Sequence, residues 1–307
     1  MFEVITYPPG HMLVLETTDA RATIDPAAGG RLASLVVAGR ELLVTGGGPA
    51  PRPIAWGCYL MAPWPGRLKG GRFTWHGRTI ELPRTHGRHA IHGLVWDRPW
   101  EVVETERARA TLACPLPPDW PMGGVVRQAF ELTPHGLRMT ATLTAGDAMP
   151  AALGWHPWFA RRGLPVAVRL DADAWLETDR LIPTGVQLPV TGHLDLRAGG
   201  QLGRRRLDHA YVGAAPPATL QWPDLRLTLA WEPAPSIVVV HTPASGVCIE
   251  PLTAPPNALA LPEPDARAAG VRFLAAGETM TASLQLAWAM PTRPARPKSG
   301  RSSRIGP

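Results

Sequence analysis

The chain has 307 residues, a length that suits one large all-β domain, and its formal net charge is +6 at pH 7. Five basic residues and no acidic residue lie in residues 291–307, which leaves a net charge of +1 on residues 1–290. A tail rich in proline, serine and arginine, without aromatic residues, argues against a folded nucleic-acid surface. With no internal repeat or linker before it, we expect one domain over residues 1–290 and a disordered basic tail over residues 291–307.

Short alternating runs predict β-strands along most of the chain. The 35 prolines and 31 glycines make up about a fifth of the residues, above the usual ~12%, and leave little room for long helices. In chain order, we predict a hairpin at residues 72–75 and 79–82, then strands with one apolar face around residues 137–144, 225–231 and 280–288. Many short strands joined by turns predict an all-β fold, as an antiparallel sandwich or barrel.

The cysteines and the apolar segments bear on the compartment. Cys58, Cys114 and Cys248 are far apart and form no CxxC motif, so they predict neither a disulfide framework nor a cysteine-based zinc site. No secretory signal is visible at the N-terminus, and no apolar run approaches the ~20 residues that span a bilayer. We therefore expect a cytoplasmic protein without a membrane partner.

Several common catalytic motifs are missing from the sequence. There is no GxSxG nucleophile elbow, no GxGxxG after a predicted strand and no GxxxxGK[ST] phosphate loop, which disfavours esterase, dinucleotide and NTP chemistry. His86, His89 and His92 recur at every third position, and three histidines can bind zinc. In an extended segment, however, a spacing of three places neighbouring side chains on opposite faces. We therefore predict no metal site and no cofactor.

Five polar residues stand in apolar, proline-flanked contexts and are candidates for a functional site: Arg67, His92, His156, Asp208 and Glu250. Each also has an ordinary structural interpretation. His156 could be a hydrogen-bonded core histidine, and Arg67 and Asp208 could be surface or ion-paired residues. Glu250 is harder to explain in this way, because it ends an apolar run and an unpaired buried carboxylate is costly.

Six segments in their order and spacing resemble the aldose 1-epimerase (mutarotase) family of the galactose-mutarotase-like superfamily. The segments are ATIDPAAGGRLASLVVAGRELL, PGRLKGGRFTWHGRTIEL, HAIHGL, GWHPWF, LDHAY and IEPLTAPPNAL. The resemblance implies a large antiparallel β-sandwich, the supersandwich of that superfamily, with a concave sugar-binding face. It agrees with the strand pattern described above.

The resemblance also implies a role for each candidate residue. His156 corresponds to the general acid, Glu250 to the general base and His92 to a second active-site histidine, whereas Arg67 and Asp208 correspond to contacts with sugar hydroxyls. The implied reaction interconverts the α and β anomers of a hexose. It removes the C1 hydroxyl proton while the ring oxygen is protonated, and it requires no metal or nucleotide.

Other residues of the motifs raise the question of which sugar is used. Leu94 stands where the family often has a second glycine, and Trp158 stands where a tyrosine often follows His-Pro. In HAIHGLVWDRPW, we expect His89 to be structural and Trp96 and Trp100 to pack in the core. We expect a small-molecule sugar as the partner and a monomer or homodimer.

Three alternative functions remain open at this point. A glycoside hydrolase or lyase also needs a carboxylate and a proton donor. A non-catalytic sugar-binding protein would not need both His156 and Glu250. A hexose-6-phosphate 1-epimerase would need a phosphate site, for which paired arginines occur at residues 84 and 88 and at residues 161 and 162.

Overall fold

Antiparallel strands account for most of the structure, a computed structural model that describes residues 11–46, 54–234 and 236–290. The first strands in chain order are β1 (Leu13–Glu16), β2 (Ala20–Asp25), β3 (Arg31–Val37), β4 (Arg40–Glu41), β5 (Cys58–Met61), β6 (Arg67–Leu68), β7 (Arg72–Trp75), β8 (Arg78–Glu81), β9 (Ala90–Ile91), β10 (Glu101–Thr105), β11 (Arg109–Pro115), β12 (Gly124–Thr133) and β13 (Gly136–Ala145). The remaining strands are β14 (Met149–Ala151), β15 (Gly154–Ala160), β16 (Ala167–Asp171), β17 (Ala174–Asp179), β18 (Ile182–Pro189), β19 (Gly200–Gln201), β20 (Asp208–Trp222), β21 (Leu225–Glu232), β22 (Ser236–His241), β23 (Gly246–Leu252), β24 (Arg272–Leu274) and β25 (Thr279–Ala289).

Helical structure is sparse in the described residues. The α-helix α1 spans Glu263–Ala268, and single 3₁₀ turns span Lys69–Gly71, Gly192–Leu194 and Ala258–Ala260. None of these helices has the length and apolar character that a bilayer crossing would require. The scarcity of helices agrees with the high content of proline and glycine.

Nineteen strands form one antiparallel sheet that runs through two layers. We define the back layer as β10, β11, β12, β13, β25, β21, β16 and β19, and the front layer as β1, β2, β3, β4, β5, β15, β23, β22, β17 and β18. The long strand β20 belongs to both layers. The all-β antiparallel fold class predicted from the sequence is therefore confirmed, and the predicted strands correspond to β7, β8, β13, β21 and β25.

Strand β20 connects the two layers. Its first half pairs with β22 and β17 in the front layer, and its second half pairs with β21 and β16 in the back layer. Between the halves lie Pro216 and Pro217, which have no backbone N–H to donate to a neighbouring strand. The sheet can therefore change layers at this point without leaving unpaired donors.

The front layer has two differently used faces. Its inner face joins the apolar side chains of the back layer in one core cluster. On β23, Val247 and Ile249 belong to that core, whereas Cys248 points the other way, towards a second cluster. On β15, Phe159 lies in the core and Trp158 lies in the second cluster. Because side chains alternate along a strand, every second residue of these strands is available to the outer face.

The three cysteines are buried free thiols.

Trp100 lies in the main core, where its Nε1 donates to the carbonyl of Val95 at 2.9 Å. Trp96 is buried in the second cluster. Both indoles thus pack as predicted. The predicted disordered tail, residues 291–307, lies outside the described residues and stays a prediction.

Candidate active site

The register of two neighbouring strands brings His156 and Glu250 together. Strands β15 and β23 pair with Gly154 opposite Leu252 and Trp158 opposite Cys248, so His156 lies opposite Glu250 on the outer face. His156 Nε2 is 3.3 Å from Glu250 Oε1. Their relative exposures are 5% and 4%, so water reaches little of either group. An imidazole and a carboxyl group are thus held within proton-transfer range on a rigid sheet.

The five residues predicted from the sequence, including this pair, all line one cleft. The cleft has a volume of about 190 Å³, and its lining includes Arg67, His92, His156, Asp208 and Glu250. His156, Asp208 and Glu250 come from three strands of the front layer. Arg67 and His92 come from the segments that follow β5. Residues separated by up to 183 positions in the sequence are therefore brought into one cavity.

Backbone geometry fixes the position of His92. Its φ is 62°, and its N–H donates to the carbonyl of Gly66 at 2.9 Å. The next residue, Gly93, has φ 77°, and a Cβ there would lie 2.0 Å from the carbonyl oxygen of Ala62. Only glycine fits at that position. The pairing of β6 with β9, in which Arg67 lies opposite Ile91, places the Arg67 backbone beside the same segment.

Aromatic rings hold the His156 imidazole in place. The Trp158 ring is parallel to it, with centroids 5.3 Å apart and 1° between the planes. The His92 ring meets it at 89° with centroids 5.1 Å apart, and the Tyr59 ring lies 5.0 Å away. Trp158, the residue that replaces a tyrosine, therefore both lines the cleft and supports His156.

His241 also lines the cleft, although no sequence motif marks it as a functional residue. It lies opposite Asp208 in the β20–β22 pairing, and its Nδ1 is 3.7 Å from Asp208 Oδ1. The signal was present in the run SIVVVH, because Ile237, Val239 and His241 share one face of an alternating strand.

Burial dominates the protonation of the central pair. It raises the pKa of Glu250 well above the usual value, and Asp208 raises it further, while the Arg67 guanidinium opposes both. Burial also lowers the pKa of His156 well below the usual value, and the neighbours His92 and His241 lower that pKa further. Because burial penalises each charged form, the pair favours its neutral state, with one shared proton on Glu250.

His92 responds to burial in the same way. Burial, and then the positive charge of Arg67, lowers its pKa to about 3. It is therefore neutral at pH 7. In that state it offers one N–H donor and one nitrogen acceptor to a ligand.

Two groups of side chains carry donor atoms of the kind that bind metals: His156, Cys248 and Glu250, and the three histidines His86, His89 and His92. The ligand atoms of His156, Cys248 and Glu250 lie within 4.8 Å of one another, so this group has the donors for a metal ion. Burial raises the pKa of both Cys248 and Glu250, which disfavours the deprotonated forms that a metal requires. In the group of three histidines, His89 Nδ1 accepts a hydrogen bond from Gly70 N–H. His89 also lines a different cavity from His86 and His92. The absence of a metal requirement stays a prediction.

The chain is similar to several known proteins. A family model described as aldose 1-epimerase matches residues 12–287. The uncharacterized protein YphB of Escherichia coli (strain K12) is 28% identical over 251 residues, which are 75% of this chain and 82% of YphB.

Solved structures share the fold. A putative aldose 1-epimerase from Escherichia coli K12 superimposes with a TM-score of 0.81 at 21% identity, covering 91% of this chain and 99% of that chain. A galactose mutarotase-like protein from Clostridium acetobutylicum gives a TM-score of 0.82 at 19% identity, covering 91% of this chain and 95% of that chain. The fold is thus that of the galactose mutarotase-like proteins. Because the family model spans nearly the whole chain, the protein belongs to the aldose 1-epimerase family.

Proposed function

We propose that this protein is an aldose 1-epimerase that interconverts the α and β anomers of a hexose by acid–base ring opening and closure. The observation that carries the proposal is the distance of 3.3 Å between His156 Nε2 and Glu250 Oε1 at the buried end of the cleft. Membership of the aldose 1-epimerase family supports the same reaction.

The chemistry requires a base and an acid that act on neighbouring oxygens. The base takes the proton from the C1 hydroxyl, the O–H electrons form the C1 carbonyl, and the C1–O5 bond breaks towards O5. The acid delivers a proton to O5. Since O1 and O5 are bonded to the same carbon, the two protein groups must lie a few ångströms apart, as His156 and Glu250 do.

Glu250 acts as the base and His156 Nε2 as the acid. A carboxylate whose pKa is raised by burial is a stronger base once it has lost its proton. The reactive form is Glu250 carboxylate with His156 imidazolium, and it contains the same number of protons as the neutral pair. The neutral pair therefore reaches this form by moving its shared proton to His156, a shift that the positive charge of Arg67 favours because it stabilises the carboxylate.

The remaining groups hold the sugar. Neutral His92 hydrogen-bonds and polarises the ring, while Arg67 and Asp208 contact its hydroxyls. After rotation about the C1–C2 bond, the ring closes on the other face of the aldehyde. His156 then removes the proton from O5, and Glu250 returns a proton to O1.

Polarimetry tests the proposal directly. Freshly dissolved α-glucose and α-galactose should reach their equilibrium rotation faster with the protein than in buffer alone. The Glu250→Gln variant is the matched control, because it keeps the shape of the side chain. If none of these sugars and no phosphorylated hexose equilibrated faster with the wild-type protein, the proposal would be wrong. Release of new sugar ends from an oligosaccharide would instead indicate a hydrolase or lyase.

A further inference from the structure

A second cavity, strongly positive in charge, lies beside the cleft and has no part in the acid–base reaction. Its volume is about 1530 Å³. We call it the basic groove, and its cationic side chains are Lys69, Arg72, Arg84, Arg88 and Arg180. Asp179 supplies the one carboxylate among the described residues that line it.

The groove concentrates the positive charge of the folded chain. Five cations against one carboxylate give it a formal excess of +4. Residues 1–290 together carry only +1, so the rest of that region has a net charge of −3. Averaging over the whole sequence conceals this separation. A local field of one sign attracts ligands of the opposite sign.

The cations of the groove are available to a ligand. Within residues 11–46, 54–234 and 236–290, none of the five forms a salt bridge, and all are exposed. Other arginines of the chain do pair: Arg162 donates to both carboxylate oxygens of Asp224, at 3.1 and 2.6 Å. Asp224 therefore already neutralises Arg162, and neither Arg161 nor Arg162 lines the cleft or the groove.

The groove and the cleft adjoin each other and share part of their lining. Along one segment, Arg67 lines the cleft and Lys69 lines the groove. Along a second segment, His86 lines the cleft and Arg88 lines the groove. Pro183 lines both. A ligand bound in the cleft is therefore close to the positive charge of the groove.

A strained turn lies at the junction of the two cavities. Arg180 and Leu181 form a two-residue turn between Asp179 and Ile182, with φ values of 48° and 66°. Such a turn normally favours asparagine and glycine, because both residues need a positive φ. Here it directs Arg180 to the groove and Leu181 to the cleft. Strain of this kind often marks a functional position.

We propose that the preferred substrate is a hexose with an anionic substituent, a phosphate or sulfate ester or a carboxylate, away from C1. The sugar ring occupies the cleft, and the substituent binds in the basic groove. Arginine guanidinium groups suit such oxyanions because they donate two parallel hydrogen bonds. This inference rests on the proposed function and specifies its substrate class.

The first test compares hexoses that differ at C6, where the group is neutral in glucose and anionic in the other three. Anomer exchange of glucose, glucose 6-phosphate, glucose 6-sulfate and glucuronate is measured by magnetisation-transfer NMR. We expect kcat/KM for at least one anionic sugar to exceed that for glucose by about tenfold or more. The three anionic sugars identify which oxyanion is preferred. The advantage should shrink as the salt concentration rises, because exposed charges are screened.

The second test removes the charge from the groove. In the double variant Arg84→Ala/Arg88→Ala, the ratio of kcat/KM for the preferred anionic sugar to that for glucose should fall by about tenfold. The matched control is Arg107→Ala/Arg109→Ala, which removes two exposed arginines that line neither cavity. The control should keep the wild-type ratio. An equal fall in both double variants would show a general charge effect and would overturn the proposal.

A binding measurement separates this inference from the proposed function. Titration calorimetry with inorganic phosphate reports on the groove without any turnover. Phosphate binding that depends on Arg84 and Arg88, without epimerase activity on any sugar, would support the anion site and overturn the proposed function. Equal activity on glucose and on all the anionic sugars, without phosphate binding, would support the proposed function and overturn the anion site. Absence of both would overturn both.

Discussion

The imidazole rings of His92 and His156 meet at 89° with centroids 5.1 Å apart, yet only His156 reaches the carboxyl group of Glu250. The two residues have the same chemistry but different neighbours. His156 lies between the Trp158 ring and the carboxyl group on a strand. His92 is held by a backbone of positive φ and by its N–H bond to the Gly66 carbonyl, beside Arg67. We therefore expect the two histidines to contribute differently to the rate.

Substitution of each histidine by glutamine tests this difference. His156→Gln keeps a hydrogen-bond donor but cannot deliver a proton at neutral pH, so kcat should fall by roughly 10²-fold to 10⁴-fold. His92→Gln should retain more activity, because glutamine can replace a neutral donor and acceptor. Steady-state polarimetry measures both. Equal and complete loss in the two variants would contradict the assignment, and recovery on adding Zn²⁺ would revive the metal alternative.

Replacement of Glu250 by glutamine should separate binding from chemistry. The amide keeps the shape of the carboxyl group but cannot accept the C1 hydroxyl proton. We expect the Kd of the sugar to change by only a few-fold, while anomer exchange falls by roughly 10²-fold or more. Ligand titration followed by NMR measures the first quantity, and magnetisation transfer measures the second. If exchange continued at the wild-type rate, Glu250 would be structural, and Asp208 would be the next base to test.

Buried His92 should make the fold less stable in acid. Its pKa is lowered to about 3 in the folded chain, from about 6.5 in the unfolded chain. The contribution of neutral His92 to the free energy of unfolding is fully present above pH 6.5. It declines as the pH falls towards 3, because in that range only the unfolded chain takes up the proton. Between these limits, each fall of one pH unit lowers the free energy of unfolding by up to about 1.4 kcal/mol through His92.

Urea unfolding at several pH values checks this prediction. Between about pH 6.5 and pH 5, the free energy of unfolding should fall less steeply in His92→Gln than in the wild type. The difference in slope corresponds to about one proton fewer taken up on unfolding. Above about pH 7.5, where this histidine is neutral in both states, the two slopes should coincide. Identical slopes at all pH values would mean that His92 is accessible to protons in the folded protein.

Arg31 is expected to be a stabilising residue rather than a substrate contact. It is 1% exposed and donates to the backbone carbonyls of Ala28 at 2.6 Å and Trp96 at 2.9 Å, and its guanidinium stacks on Trp56. Burial lowers its pKa to about 10, so it stays charged at pH 7. Arg31→Met removes the donor to the buried Trp96 carbonyl and to the partly buried Ala28 carbonyl, and it should lower the free energy of unfolding by about 2–4 kcal/mol.

The control for this variant is Arg21→Met, which removes an exposed ion pair with Glu16. Such a change is usually worth less than about 1 kcal/mol. Thermal and urea unfolding of both variants give the comparison. Equal stability of Arg31→Met and the wild type would show that water replaces the lost hydrogen bonds.

The fold class and the strands were accessible from the sequence because alternation is a local property. The run at residues 137–144 alternates strictly, and the strand β13 forms there. The cleft was only partly accessible. Motifs identified His156 and Glu250 individually, but the register that sets them opposite each other depends on the pairing of β15 with β23.

The sequence offered Arg84 and Arg88 as candidate phosphate ligands, but the full extent of the basic groove was hidden for the same reason. Its cations come from separate segments, represented by Lys69, Arg88 and Arg180, and the overall charge of residues 1–290 is close to neutral. Composition cannot show which charges share a surface. His241 was missed because it ends an otherwise apolar strand, where a single polar residue has many possible explanations.

The distribution of strand partners in this sheet has a consequence for folding. Strand β20 pairs with partners in both layers, and β25 near the end of the described chain pairs with β13 in its middle. Folds dominated by contacts between distant residues fold slowly, because the chain must close long loops before those contacts form. The cleft draws on residues from Arg67 to Glu250, so its parts assemble only when most of the chain has found its register. During refolding, regained activity should therefore report completion of the whole sheet.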